Sequence, residues 1–248
     1  GAYHLMQTLD AESLARGVVC ASAGNHAQGV AYSCKLMEVK GVIFMPSTTP
    51  KQKVRQVSYF GGEWIEVVLK GDTFDEAYEE AMDYCNRNNS SFIHPFDDER
   101  TIVGQGTVGL EMLNQMSETV DYVFVPIGGG GLAAGIGSYI KGVSPDTKVI
   151  GVEPEGAASM KESLRRNKRA KLDEVDKFVD GAAVQLVGEL TFEICKQVID
   201  DIVEVPTGKA CTTILELYNN NAIVLEPAGA IAVAALDFYR EQIRGKNV

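Results

Sequence analysis

Short runs of apolar residues alternate with longer amphipathic stretches along almost the whole chain. The runs at 18–21, 42–46, 64–68, 92–94, 122–127, 148–153 and 202–205 are nearly continuous in hydrophobic side chains. That pattern predicts parallel strands covered on both faces, because a strand with one wet face would alternate. Helical periods lie between them. Residues 72–88 (DTFDEAYEEAMDYCNRN) set Phe74, Ala77, Ala81 and Tyr84 on one face behind an acidic first turn. Stretches 188–199 and 208–220 are spaced alike, and Pro227 predicts the start of a helix over 228–243. Such alternation indicates an α/β fold built on mostly parallel sheets. Residues 165–177 (RRNKRAKLDEVDK) break the pattern and read as a solvated loop, its basic half followed at once by acids.

Composition narrows the class. With 248 residues, 45% of them hydrophobic, the chain can build one large or two modest domains with a sizeable core. The 23 basic and 34 acidic side chains leave a net charge of −11. A chain that negative has no general attraction to nucleic acid or an anionic membrane, so an anionic ligand must be held by local geometry. The least polar stretch, 222–236, is interrupted by Glu226 and Pro227 and too short to span a bilayer. Five widely spaced cysteines without a C-x-x-C predict reduced thiols and a cytoplasmic protein, with neither a disulfide framework nor a metal site. Residues 1–10 (GAYHLMQTLD) have no signal-peptide character, and a start at Gly1 within a helical pattern is the expectation for a fragment.

Two loops carry candidate chemistry. In YVFVPIGGGGLAAGIG (122–137) an apolar strand runs into Gly128, Gly129, Gly130 and Gly131, and a small-residue helix starts at Leu132. Consecutive glycines let successive N–H groups converge on an oxyanion, and a helix N-terminus adds its own unpaired donors and dipole. This is the physics of a phosphate cradle. Gly128-x-Gly130-x-x-Ala133 also approximates a dinucleotide fingerprint, with Glu153 ending the next strand where a ribose-binding acid would sit. The second loop, ASAGNHAQG (21–29), follows a strand and precedes a helix. Ser22, Gly24 and Asn25 suit a carboxylate at a helix start, or only an N-cap made by Ser22 or Asn25. His26 admits a catalytic role or a loop-orienting one; His4 and His94 read as structural or surface residues.

The segments SAGNHAQG, HPFDDERTIVGQGTVGLE, VPIGGGGLAAGI, VIGVEP and LEPAGAIA, in this order and spacing, resemble the threonine dehydratases (threonine ammonia-lyases) of the fold-type-II pyridoxal-phosphate-dependent family. The resemblance runs along essentially the whole chain, and LEPAGA and HPFDD lean towards the biosynthetic form over the catabolic one and over serine racemase. It implies two open parallel-sheet α/β lobes, 1–19 with 98–248 and 20–97, with a cofactor cleft between them. It also implies pyridoxal 5′-phosphate, its phosphate held by Gly128, Gly129, Gly130, Gly131 and Leu132, its 3′-oxygen by Asn25, and Glu153 at the cleft rim. Ser22, Gly24, Asn25 and His26 would take the substrate carboxylate. The implied reaction is dehydration and deamination of L-threonine, and of L-serine, in isoleucine biosynthesis, by a cytoplasmic homodimer or homotetramer.

The family's Schiff-base lysine lies in a motif of the type S-F-K-x-R-G-A, whose closing pair matches Gly1-Ala2, so that lysine would fall just ahead of Gly1. Lys35, Lys51 and Lys141 do not sit in the motif. The 248 residues alone are therefore expected to bind cofactor weakly and turn over little. Two rivals stand beside this reading: an NAD(P)-dependent oxidoreductase resting on the Gly128 loop and Glu153, and an inactive fragment or binding module without the lysine.

Overall fold

The computed structural model describes residues 1–248, the side chain of Asp75 excepted. They form two compact units, Gly1–Gly104 and Gln105–Val248.

The first unit runs α1 (Ala2–Gln7), α2 (Ala11–Ala15), β1 (Val18–Ala21), α3 (Asn25–Met37), β2 (Gly41–Met45), α4 (Lys51–Gly61), β3 (Ile65–Leu69), α5 (Phe74–Asn88) and β4 (Ser91–Phe92). Its sheet has the order β3-β2-β1-β4, with β1–β2, β1–β4 and β2–β3 all parallel. Every residue of β1 is buried, as its unbroken apolar run requires. Side chains alternate across the sheet. Val18 and Cys20 therefore join Leu5, Met6, Val30 and Cys34 of α1 and α3 on one face, while Val19 and Ala21 join Ala81 and Cys85 of α5 on the other. Helix α5 begins with a capping box. Thr73 Oγ1 accepts from Glu76 N–H at 3.2 Å, and Glu76 Oε2 accepts from Thr73 N–H at 3.1 Å.

Helix α6 (Glu99–Gln115) carries the chain from the first unit to the second. The second continues with β5 (Tyr122–Pro126), α7 (Gly131–Val143), β6 (Lys148–Pro154), α8 (Ser159–Arg166), α9 (Glu189–Val198), β7 (Asp201–Val205), α10 (Thr207–Asn221) and α11 (Pro227–Ala235). Its sheet is β5-β6-β7, parallel throughout, and Val152 and Val205 pack against Ala210, Ala228, Ile231 and Ala234 of α10 and α11. The chain is thus α/β with parallel sheets, as its periodicity predicts. Among the described residues, no helix is long and apolar enough to cross a membrane.

Two expectations are corrected. The helix expected over 228–243 stops at Ala235 and tightens into a 3₁₀ turn at Leu236–Tyr239. Tyr239 causes this: its ring meets Phe124 of β5 edge-on at 5.2 Å and its hydroxyl donates to Asp201 of β7, pulling the chain end onto the sheet. The loop expected from 165 begins only after Arg166, because α8 extends to that residue. Nor is it wholly solvated: Ala170 is buried, and its N–H donates to Ser163 Oγ at 3.0 Å.

Candidate active site

In each unit the loop of interest leaves the carboxyl end of a parallel strand and enters a helix, the usual place for ligand binding in open α/β sheets.

In the first unit β1 delivers the chain to Ser22, whose N–H continues the ladder to Phe44 O at 3.1 Å. Ser22 Oγ accepts from Gly24 N–H at 3.2 Å, folding the loop back on itself. Gly24 is the N-cap of α3 and makes no side-chain cap, so neither Ser22 nor Asn25 caps the helix as one reading of the sequence expected. Asn25 opens the helix and is exposed. His26 is held: its Nε2 lies 2.8 Å from Ile93 O, which can only accept, so Nε2 carries the proton. Burial pushes its pKa down to about 4, partly opposed by that carbonyl and reinforced by His94. The imidazole is therefore neutral at pH 7. His94 is likewise built in, its Nδ1 accepting from Asp97 N–H at 2.8 Å and Phe96 N–H at 3.3 Å.

In the second unit Ile127 N–H still pairs with Val152 O at 2.8 Å, and the glycines follow. Gly130 sits at φ +98°, left-handed, as the N-cap of α7. A Cβ there would lie 2.9 Å from Thr191 Cβ, Thr191 Oγ1 and Met160 Cε, so the position requires glycine twice over. A Cβ on Gly128 would approach Gly181 O to 3.1 Å. The loop's carbonyls are occupied from behind. Gly129 O accepts from Thr191 Oγ1 at 2.7 Å and Gly188 N–H at 3.3 Å, and Gly130 O accepts from Ala134 N–H at 2.8 Å. Among the described residues, none accepts from the N–H groups of Gly129 to Ala133. No acid stands in the first turn of α7 to meet these donors and the helix dipole. The donor set fits a phosphate.

Glu153 does not occupy the rim position implied for it. It is fully buried at the end of β6, its Oε1 accepting from Met160 N–H and its Oε2 from Lys161 N–H, each at 2.8 Å. It thus caps α8. Both oxygens are committed, which also removes the ribose-binding acid that an oxidoreductase reading needs. Burial pushes its pKa up to about 7, against the pull of the two N–H donors.

A family model described as pyridoxal-phosphate dependent enzyme matches residues 1–248. The chain belongs to that family. Among curated proteins, an L-threonine dehydratase biosynthetic IlvA of Halalkalibacterium halodurans is 58% identical over all of this chain and 60% of its own length. The chain thus spans about three fifths of the curated relatives it matches. Among solved structures, the processed form of threonine deaminase isoform 2 from Solanum lycopersicum superposes with a TM-score of 0.92 at 45% identity, over 99% of this chain and 71% of that one. Maize serine racemase superposes at 0.91 and 30% identity, over 99% and 74%.

For a pyridoxal-phosphate dependent enzyme the glycine loop is the part that sequence makes plain. What sequence reasoning missed stands behind it: Gly188, Thr191 and Cys195, along the first two turns of α9. The only signal was the four-residue spacing of Thr191 and Cys195, which puts both on one helix face without saying what that face meets.

Proposed function

We propose that the protein carrying these residues is an L-threonine ammonia-lyase of the biosynthetic type. It removes water across the α- and β-carbons of L-threonine and releases 2-oxobutanoate and ammonia, with pyruvate from L-serine. The observation that carries the reading is the glycine loop, whose N–H groups from Gly129 to Ala133 meet no acceptor among the described residues, at the start of a helix without first-turn acids. The 58% identity to a biosynthetic threonine dehydratase supports threonine as the substrate and isoleucine synthesis as the setting.

Gly128, Gly129, Gly130, Gly131 and Leu132 would hold the cofactor phosphate, their N–H groups replacing the water that the dianion loses. When bound, pyridoxal 5′-phosphate supplies an electron sink for the pair left as the α-proton departs. Asn25, exposed at the first position of α3, would donate its amide to the pyridine 3′-oxygen. Ser22, Gly24, Asn25 and His26 would form the loop that takes the substrate carboxylate at the α3 N-terminus. His26 serves there as an orienter. Its Nε2 proton is committed to Ile93 O and its ring stays neutral, so it holds the first turn of α3 in place instead of carrying charge. Glu153 supports the second unit by capping α8, whose Met160 lies under Gly130.

The proposal includes a lobe division of 1–19 with 98–248 and 20–97, assembly as a homodimer or homotetramer, and a cytoplasmic location in keeping with buried thiols at Cys20, Cys34, Cys85 and Cys195. The test is a product assay on the isolated protein with L-threonine, L-serine and their D-enantiomers. Stoichiometric 2-oxobutanoate and ammonia from L-threonine are expected. Interconversion of serine enantiomers without keto acid would make the protein a racemase, and turnover that requires NAD(P) would make it an oxidoreductase.

A further inference from the structure

We infer that Thr191 is a positioning residue for the phosphate loop: its hydroxyl, assisted by Gly188 N–H and the Cys195 thiol, sets the direction in which the loop's N–H groups point. The inference rests on the reading of that loop as a phosphate site.

The argument is one of peptide geometry. The carbonyl of Gly129 and the N–H of Gly130 belong to one planar trans unit and point in opposite directions. Thr191 Oγ1 grips that carbonyl at 2.7 Å and Gly188 N–H reaches it at 3.3 Å, so the N–H of Gly130 is turned away from α9. The next unit is treated alike. Gly130 O takes Ala134 N–H at 2.8 Å and the Cys195 thiol at 3.8 Å, which turns the N–H of Gly131 away as well. Gly130 is left-handed and Gly131 begins a right-handed helix, a pairing that makes successive N–H groups converge on one concavity. Thr191 is fully buried, so no water can replace its hydroxyl at Gly129 O. Without that donor the Gly129–Gly130 unit keeps only the longer Gly188 N–H bond at its carbonyl, and the aim of one arm of the concavity is loosened.

Thr191→Val removes the hydroxyl and keeps the shape; Thr191→Ser keeps the hydroxyl. The experiment measures binding of pyridoxamine 5′-phosphate and of pyridoxamine, neither of which needs a covalent link, to the cofactor-free protein and its variants. For Thr191→Val the phosphorylated ligand is expected to weaken by about tenfold while pyridoxamine stays within about twofold. Thr191→Ser should restore the phosphate preference, and amide exchange over 128–132 should be faster in Thr191→Val than in the parent. Equal weakening of both ligands would mean that Thr191 merely supports the fold, and an unchanged phosphate preference in Thr191→Val would overturn the inference. A parent protein that shows no preference for the phosphorylated ligand would instead overturn the phosphate reading itself. Should Thr191→Val not fold, Cys195→Ala takes its place. The expected loss is about threefold, confined to the phosphorylated ligand, and an unchanged ratio counts against the tether.

Discussion

The two loops are variations on one motif, strand to small-residue turn to helix, yet they are built in opposite ways. The glycine loop of the second unit is enclosed. Gly129, Gly130 and Gly131 are buried, two carbonyls are tied down from α9, and a left-handed residue marks the turn. The Ser22–Asn25 loop of the first unit is open: it folds on its own hydroxyl, caps with an unassisted glycine and leaves Asn25 exposed. A phosphate that stays bound through many turnovers suits a cradle whose donors are fixed beforehand. A substrate that must come and go suits a loop with fewer ties. On the proposed function, the same local sequence grammar would serve retention in one unit and exchange in the other.

Breaking the cradle should have the largest effect. Gly130→Ala places a Cβ 2.9 Å from Thr191 and Met160 at a backbone angle of φ +98°. Overpacking and left-handed strain together should cost about 3 kcal/mol in unfolding free energy. Retention of pyridoxal phosphate should fall by more than tenfold, read as loss of the visible cofactor band on dialysis. A variant that unfolds at the parent's urea midpoint and keeps its band would show that the loop is not rigid.

Sequence reveals this contrast only in part, for physical reasons. Buried parallel strands announce themselves because both faces must be apolar; β1 falls on its expected run and β6 exceeds its run by Pro154 alone. The glycine loop is equally legible, since a run of glycines has little other structural use. Three things depend on the third dimension and were not. Glu153 ends a strand like a ribose-binding acid, but the chain returns and covers it with the start of α8. Thr191 lies on a different helix from the loop it ties, and its partner is a backbone carbonyl that leaves no mark in sequence. Tyr239 ends a helical pattern early because of an aromatic contact with a distant strand.

The units should also respond to pH with opposite sign. Glu153 has its pKa raised by burial from an ordinary 4.5 to about 7, so the folded state binds more protons than the unfolded chain between those values. Its contribution is present at low pH and lost as pH rises through that window, on the order of 3 kcal/mol in all. His26 behaves conversely. Its pKa falls by burial from 6.5 to about 4, so its contribution is present above 6.5 and lost as pH drops towards 4. That span too corresponds to on the order of 3 kcal/mol. Urea unfolding between pH 4 and 8 measures both. Glu153→Gln should remove the loss of stability on the neutral side, and His26→Gln the loss on the acid side. If each variant kept the parent's slope, the protons would be bound elsewhere.

The smallest effect should come from Gly24→Ala, the counterpart of the change at Gly130. A Cβ on Gly24 meets nothing within 4 Å, and the residue lies at φ −122° and ψ −148°, where no left-handed strain arises. Alanine also narrows the freedom of the unfolded chain, which offsets its weaker preference for an N-cap, so the unfolding free energy should move by less than about 0.5 kcal/mol. Cofactor retention should not change, while the KM for L-threonine should rise severalfold as the methyl group enters the space proposed for the substrate carboxylate. The pair of variants separates the two loops by their readouts. Loss of cofactor from Gly24→Ala, with KM untouched, would assign retention to the open loop as well and erase the division of labour.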